Sequence, residues 1–178
     1  ELAITNLVRM VYLILSIPTW GFASGVNTIV SNLIGQRKRQ AVIPIVWKTS
    51  KICLASTLVI ALPVILFPTK LLYPLLGSAD MSLIVDAQPT LYVLLGILIL
   101  FAVGGVYFNG VAGTGATFFG LKLQFWCALG YIVYIYVEVK HTNGGLEWAW
   151  AAELFYWVAI LVVSMWYLQT KKWYHLKV

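Results

Sequence analysis

Charge is scarce in this sequence. Asp, Glu, Lys and Arg make up 10% of its 178 residues, against roughly 25% in ordinary soluble domains. Only 6 residues are acidic, and there are 2 histidines and 2 cysteines. With a hydrophobic fraction of 61% and a mean hydropathy of +0.89, that shortage excludes a soluble domain. Cys53 and Cys127 fall inside apolar runs, where they act as small apolar side chains and cannot form a disulfide framework. Enzyme motifs are missing too: no HExxH, GxSxG, CxxC or P-loop occurs. The run Gly110 to Gly120, GVAGTGATFFG, contains Gly113-Thr-Gly115 but lacks a third fingerprint glycine and follows a helical pattern, not a strand. The expectation is a protein that is not an enzyme and has neither cofactor nor metal. His141 reads as a loop residue and His175 as a tail residue, both solvated. No low-complexity tract or internal repeat is visible.

What the sequence has in quantity is long apolar runs. About 20 residues are needed to cross a hydrocarbon core of roughly 30 Å at 1.5 Å per residue. Five segments reach that length, at about 4–35, 42–67, 87–113, 118–137 and 146–168. They are continuous rather than alternating, which implies helices and excludes barrel strands. The fold class is therefore an all-α integral membrane protein with five transmembrane helices.

The 12 basic residues set the orientation. Arg37, Lys38, Arg39, Lys48, Lys51, Lys122, Lys171, Lys172 and Lys177 lie toward one side, and Arg9, Lys70 and Lys140 toward the other. By the positive-inside rule this puts the C-terminus and the first loop in the cytoplasm of a multi-pass inner-membrane protein, and the N-terminus outside. The net charge of +6 is then a topology signal with attraction to anionic lipid, and no nucleic-acid partner is expected. Starting at Glu1 with no initiator Met or signal peptide, the chain reads as the C-terminal fragment of a larger membrane protein.

The connections are short. A short interfacial helix is expected at 71–76 in the Pro- and Gly-punctuated stretch between the second and third spans. GTGAT holds only a turn, so the third and fourth spans should be antiparallel neighbours. Asn143, Gly144 and Gly145 are turn formers before the last span. Tyr131, Tyr134, Tyr136, Trp148, Trp150, Trp166, Trp173 and Tyr174 suit interfacial belts.

Polar residues inside spans are the candidate functional groups, because lipid gives no reason to keep them. On the first span Asn6, Arg9, Ser16, Ser24, Asn27, Ser31 and Gly35 follow one helical face, with Gly21 and Gly25 beside it. Arg9 either snorkels to the headgroups or pairs a ligand or carboxylate in a cavity. Asn27, Ser31 and Asn32 either bond across helices or line a polar route. The third span carries Ala102, Gly105, Asn109 and Gly113 at four-residue spacing, for close packing or for bending. Pro18, Pro44, Pro63 and Pro89 add candidate bends. Glu153, about two turns into the last span, is either an interfacial acid beside headgroups or Arg9, or a working carboxylate.

ELAITNLVR opening the first span and IPTWGFASGVNTIVSNLIGQ continuing it, then a basic loop and a second span ending in LFP, resemble the multidrug and toxic compound extrusion (MATE) family. The pattern P-x-x-G-x-x-x-G-x-N-x-x-V-S-x-x-I-G runs here from Pro18 to Gly35. The resemblance covers essentially the whole chain and places it at helices eight to twelve, five helices of a six-helix C-terminal lobe, residues 1–178, with the N-terminal lobe absent. It implies a twelve-helix exporter of organic, often cationic, compounds, working by alternating access and driven by sodium or proton entry. Its partners would be the bilayer, small organic substrates and the missing lobe. Some branches of the family carry a coupling acid on the tenth helix. The matching position falls near Gly105, where there is no carboxylate, so the coupling ion is expected in the N-terminal lobe.

Two other readings stand beside this one. A related lipid-linked-oligosaccharide flippase needs a cavity with several Arg and Lys, and Arg9 alone is available. A non-transporting membrane scaffold would use the polar face of the first span merely as a helix contact.

Overall fold

The computed structural model describes residues 2–76, 81–141 and 145–175. Among these the chain is helical apart from short turns, with no strand. Six α-helices follow in order: α1 (Leu2–Gly35), α2 (Val42–Leu66), α3 (Pro68–Leu76), α4 (Met81–Gly113), α5 (Thr117–His141) and α6 (Leu146–Gln169). One 3₁₀ turn (Arg39–Ala41) precedes α2 and another (Lys172–His175) follows α6. All but α3 are long and apolar enough to cross a membrane, and each satisfies its backbone internally, as a lipid solvent requires.

The helices assemble around α4. It packs on α1, α2 and α6, while α5 lies outside and rests mainly on α6. Small residues allow that density. A Cβ on Gly113 would fall 2.7 Å from the Asn27 carbonyl oxygen, and one on Gly110 would fall 2.7 Å from a Val46 methyl. Gly105 faces Thr19 and Phe101, and Gly104 faces the Trp157 backbone. The small stripe of α4 is thus a close-packing surface. Two apolar clusters result. Val26, Val30, Val46, Val106 and Val111 belong to one, at the end where α1 finishes and α2 begins. Leu7, Val11, Leu15, Leu91 and Leu94 belong to the other, at the opposite end.

Several sequence expectations change in detail. α4 begins at Met81, not near residue 87, and runs through Pro89; α1 and α2 likewise continue through Pro18 and Pro63. The short connecting helix starts at Pro68, earlier than the expected 71. α5 reaches His141, so EVKH is helical; Asn143 and Gly144 lie outside the described residues, while Gly145 caps α6. The three-residue turn between α4 and α5 forms as expected, with Gly115 at φ 86°, but it does not keep the two helices side by side. α5 meets α4 sparingly, with Phe108 against Gly120, because its aromatic side chains pack on α6 instead, Phe119 on Tyr167 at 4.0 Å and Tyr134 on Phe155 at 5.2 Å. Trp173 is no interfacial residue: it is fully buried in the first cluster, and its Nε1 donates to the Leu168 carbonyl at 3.0 Å.

Candidate functional site

α1 commits one face to its neighbours and leaves the other open. Val8, Val11, Leu15, Thr19, Ala23, Val26 and Val30 recur at helical spacing and are buried. Asn6, Arg9, Ser24, Ser31, Asn32, Gly21, Gly25 and Gly35 are exposed on the far side. A Cβ built on Gly21, Gly25 or Gly35 would meet nothing within 4 Å, so none of the three makes a close helix contact among the described residues. The open face is graded. After the polar Asn6 and Arg9 it is apolar, with Leu13, Ile17 and Trp20 exposed, and beyond Trp20 it turns mostly small and polar.

Two expected members of that polar face lie elsewhere. Ser16 is buried on the packed side and donates to the Leu13 carbonyl at 2.9 Å, an intrahelical bond that satisfies its hydroxyl. Asn27 is half-buried at the border with α4. There Ser31 Oγ donates to the Gly113 carbonyl at 3.2 Å, a bond across helices. Asn109 is half-buried and closes on its own helix, Nδ2 donating to the Gly105 carbonyl at 2.9 Å.

Glu153 is half-buried on α6 and does not join the α1 face. Its carboxyl is set among Tyr12 of α1, Tyr131 of α5, and Tyr156 and Trp157 of its own helix. Arg9 is not among these neighbours. The Trp157 indole N–H faces the Glu153 and Tyr12 oxygens without reaching hydrogen-bond geometry with either. Two cavities meet at Glu153 and Tyr131. One of about 270 Å³ adds Ala128, Ile132 and Tyr156, and one of about 250 Å³ adds Thr5, Ala149 and Trp150. A carboxylate facing aromatic rings at this depth can take up a proton or hold a cation against the ring faces.

An aromatic column joins this carboxylate to the open face of α1. Phe101 of α4 lies 4.4 Å from Trp157, 6.2 Å from Tyr12 and 5.5 Å from Trp20, centroid to centroid. Sequence reasoning missed this column. The spacing of Glu153 and Trp157, four residues apart on a helix, signals that they share a face; nothing local points to Tyr12 or Phe101. Thr5, which lines a Glu153 cavity, was likewise unmarked. Cys53 is buried and Cys127 half-buried, both as free thiols. No three His, Cys, Asp or Glu among the described residues lie close enough to hold a metal ion.

With this geometry in place, comparison with known proteins gives one finding. The family model described as MatE matches residues 1–137, from the start of the chain to near the end of α5. No curated protein and no solved structure matches the chain significantly.

Proposed function

Since this chain belongs to the MatE family of membrane transporters, we propose that it forms the C-terminal lobe, helices eight to twelve, of a secondary active efflux antiporter. It exports organic, often cationic, compounds in exchange for sodium or protons. The observation that carries this reading is the open face of α1. A membrane helix with Gly21, Ser24, Gly25, Asn32 and Gly35 exposed, and nothing packed on the glycines, has a surface suited to a water-filled path or to a second lobe, and wasteful against lipid. The basic bias of one end supports a cytoplasmic C-terminus in an inner membrane.

Glu153 is the carboxylate of this lobe best placed to titrate during transport, and Arg9, Asn6 and Ser24 stand where a substrate on the open face would pass. Gly105 provides no acid on α4, so ion coupling rests on Glu153 or on groups of the N-terminal lobe. Alternation needs two lobes, and this one alone does not transport. The test is uptake of a fluorescent organic cation by vesicles containing this lobe joined to its N-terminal lobe, under an imposed sodium or proton gradient. Accumulation that collapses when one gradient is dissipated identifies the coupling ion. Equal dye movement with and without either gradient refutes the antiport reading.

A further inference from the structure

Among the described residues, one end of the molecule gathers positive charge with no acidic side chain to meet it. Arg37, Lys38 and Arg39 follow α1, Lys48 and Lys51 stand in the early turns of α2, Lys122 near the start of α5, and Lys171 and Lys172 just beyond α6. Asp86, Glu138, Glu147 and Glu153 all lie in the opposite half of their helices. In sequence, Glu1 and Asp80 also precede the helix starts at that opposite end. Like charges within a Debye length of roughly 8 to 10 Å repel, and a fold that collects them with no counter-ion among the described residues leaves their field for an external anion.

Part of this end is a built concavity. Arg37, Lys38, Arg39, Gln40, Ala41 and Tyr174 bound a cavity of about 570 Å³, within the range that holds a small ligand. Its walls come from both ends of the chain and are held together. Arg39 Nη1 donates to the Tyr174 carbonyl, and the buried Trp173 indole pins the tail turn to Leu168. Arg37 adopts a left-handed φ of 60°, uncommon for a residue with a Cβ, which turns the chain off α1 and sets three successive bases around the hollow. Arg39 is engaged with the tail, whereas the Arg37 and Lys38 side chains have no hydrogen-bond or ion-pair partner among the described residues.

The depth of the hollow selects the anion. At the same end Lys51 lies 3.3 Å from the centre of the exposed Trp47 ring, and Lys172 lies 5.8 Å from that of the exposed Trp166. Exposed Trp and Lys together mark the headgroup level of a bilayer. Lipid phosphates lie at that level.

We infer that this hollow binds the phosphate of an anionic phospholipid from the adjoining leaflet, with Arg37 and Lys38 holding the phosphate and Arg39 and Tyr174 fixing the wall. The test compares brominated phosphatidylglycerol with brominated phosphatidylcholine as tryptophan quenchers, using the purified protein in detergent. In the unaltered protein the anionic lipid quenches at lower concentration than the zwitterionic one. Arg37→Gln with Lys38→Gln weakens phosphatidylglycerol binding by about 30-fold, through the loss of two direct charge-assisted contacts with the phosphate. Lys48→Gln with Lys51→Gln removes the same charge at the same end and weakens it by no more than about 3-fold, through the screened long-range field alone. Equal quenching by both lipids in the unaltered protein overturns the inference without reference to any variant. So do equal losses in the two double variants, which would reduce the site to a diffuse field. Displacement of the lipid by millimolar inorganic phosphate overturns it too, since the site would then be one for free phosphate.

Discussion

Replacing Gly113 with alanine adds one methyl group where α4 comes against α1. The new Cβ would stand 2.7 Å from the Asn27 carbonyl oxygen and 2.9 Å from Val30 Cβ. One of these is backbone and the other is the root of a β-branched side chain, so neither can swing aside, and α1 itself must move. Overpacking of this kind costs about 1 to 3 kcal/mol. The shift also stretches the Ser31–Gly113 bond, now 3.2 Å, whose kind contributes about 0.6 kcal/mol in membrane helices. Alanine's helix propensity returns up to about 1 kcal/mol, and less at Gly113 because it ends its helix. The net loss is about 1 to 2 kcal/mol, or roughly 2 to 8 °C in the unfolding midpoint for a chain of this size. Gly25→Ala is the paired control. Nothing lies within 4 Å of its added Cβ, so the midpoint stays or rises, and any loss belongs to transport. Thermal melts in detergent followed by circular dichroism give both midpoints. A wild-type midpoint for Gly113→Ala, or an equal loss in Gly25→Ala, would refute the division of α1 into a packed and an open face.

Three further outcomes follow from the same geometry. Glu153→Gln keeps the shape of the side chain and removes its charge, and in the protein with both lobes it lowers gradient-driven export by about tenfold or more, equivalent to at least about 1.4 kcal/mol; unchanged export removes the residue from the mechanism. Trp173→Ala deletes a fully buried indole and its bond to Leu168, releasing the tail turn so that trypsin cuts at Lys171 and Lys172 about tenfold faster; unaltered digestion kinetics would show that the tail is held by something else. Phe101→Leu loses ring contacts with Tyr12, Trp20 and Trp157, each worth about 0.5 to 1.5 kcal/mol. In a double-mutant cycle with Trp157→Leu it is non-additive by at least about 0.5 kcal/mol, and strict additivity would deny the coupling.

The spans were legible because lipid leaves little choice: a chain with continuous apolar runs must close its own backbone hydrogen bonds, and length then fixes the helix count. The side each residue faces was less legible. Ser16 and Ser24 are the same residue eight positions apart, about 80° of rotation on a helix. That rotation puts one on the packed side of α1 and the other on the open side. The partner of α5 was misread because a three-residue turn constrains two helices at the turn and no farther, leaving aromatic packing on α6 to decide the rest. Trp173 resembled an interfacial tryptophan because its partner, Leu168, offers a backbone carbonyl, which no side-chain pattern announces. The depth of Glu153 could be read by counting along α6. The approach of Tyr12, 141 positions earlier in the chain, depends on how the bundle closes.

Those long-range contacts link groups that lie far apart in the sequence. The open face of α1 and the Glu153 carboxylate are separate surfaces joined by packing. Trp20 is 63% exposed on the open face, while Phe101, which touches it, is 2% exposed and also touches Trp157 beside Glu153. A change in charge at Glu153 can therefore reach the open face through three rings, each from a different helix, without a substrate touching the acid. Such a connection biases a transition only where the packed element has two arrangements to choose between. α1 meets that condition better than α4, being held on one face and free on the other, and a rotation of α1 would carry Trp20 and the small residues beyond it together.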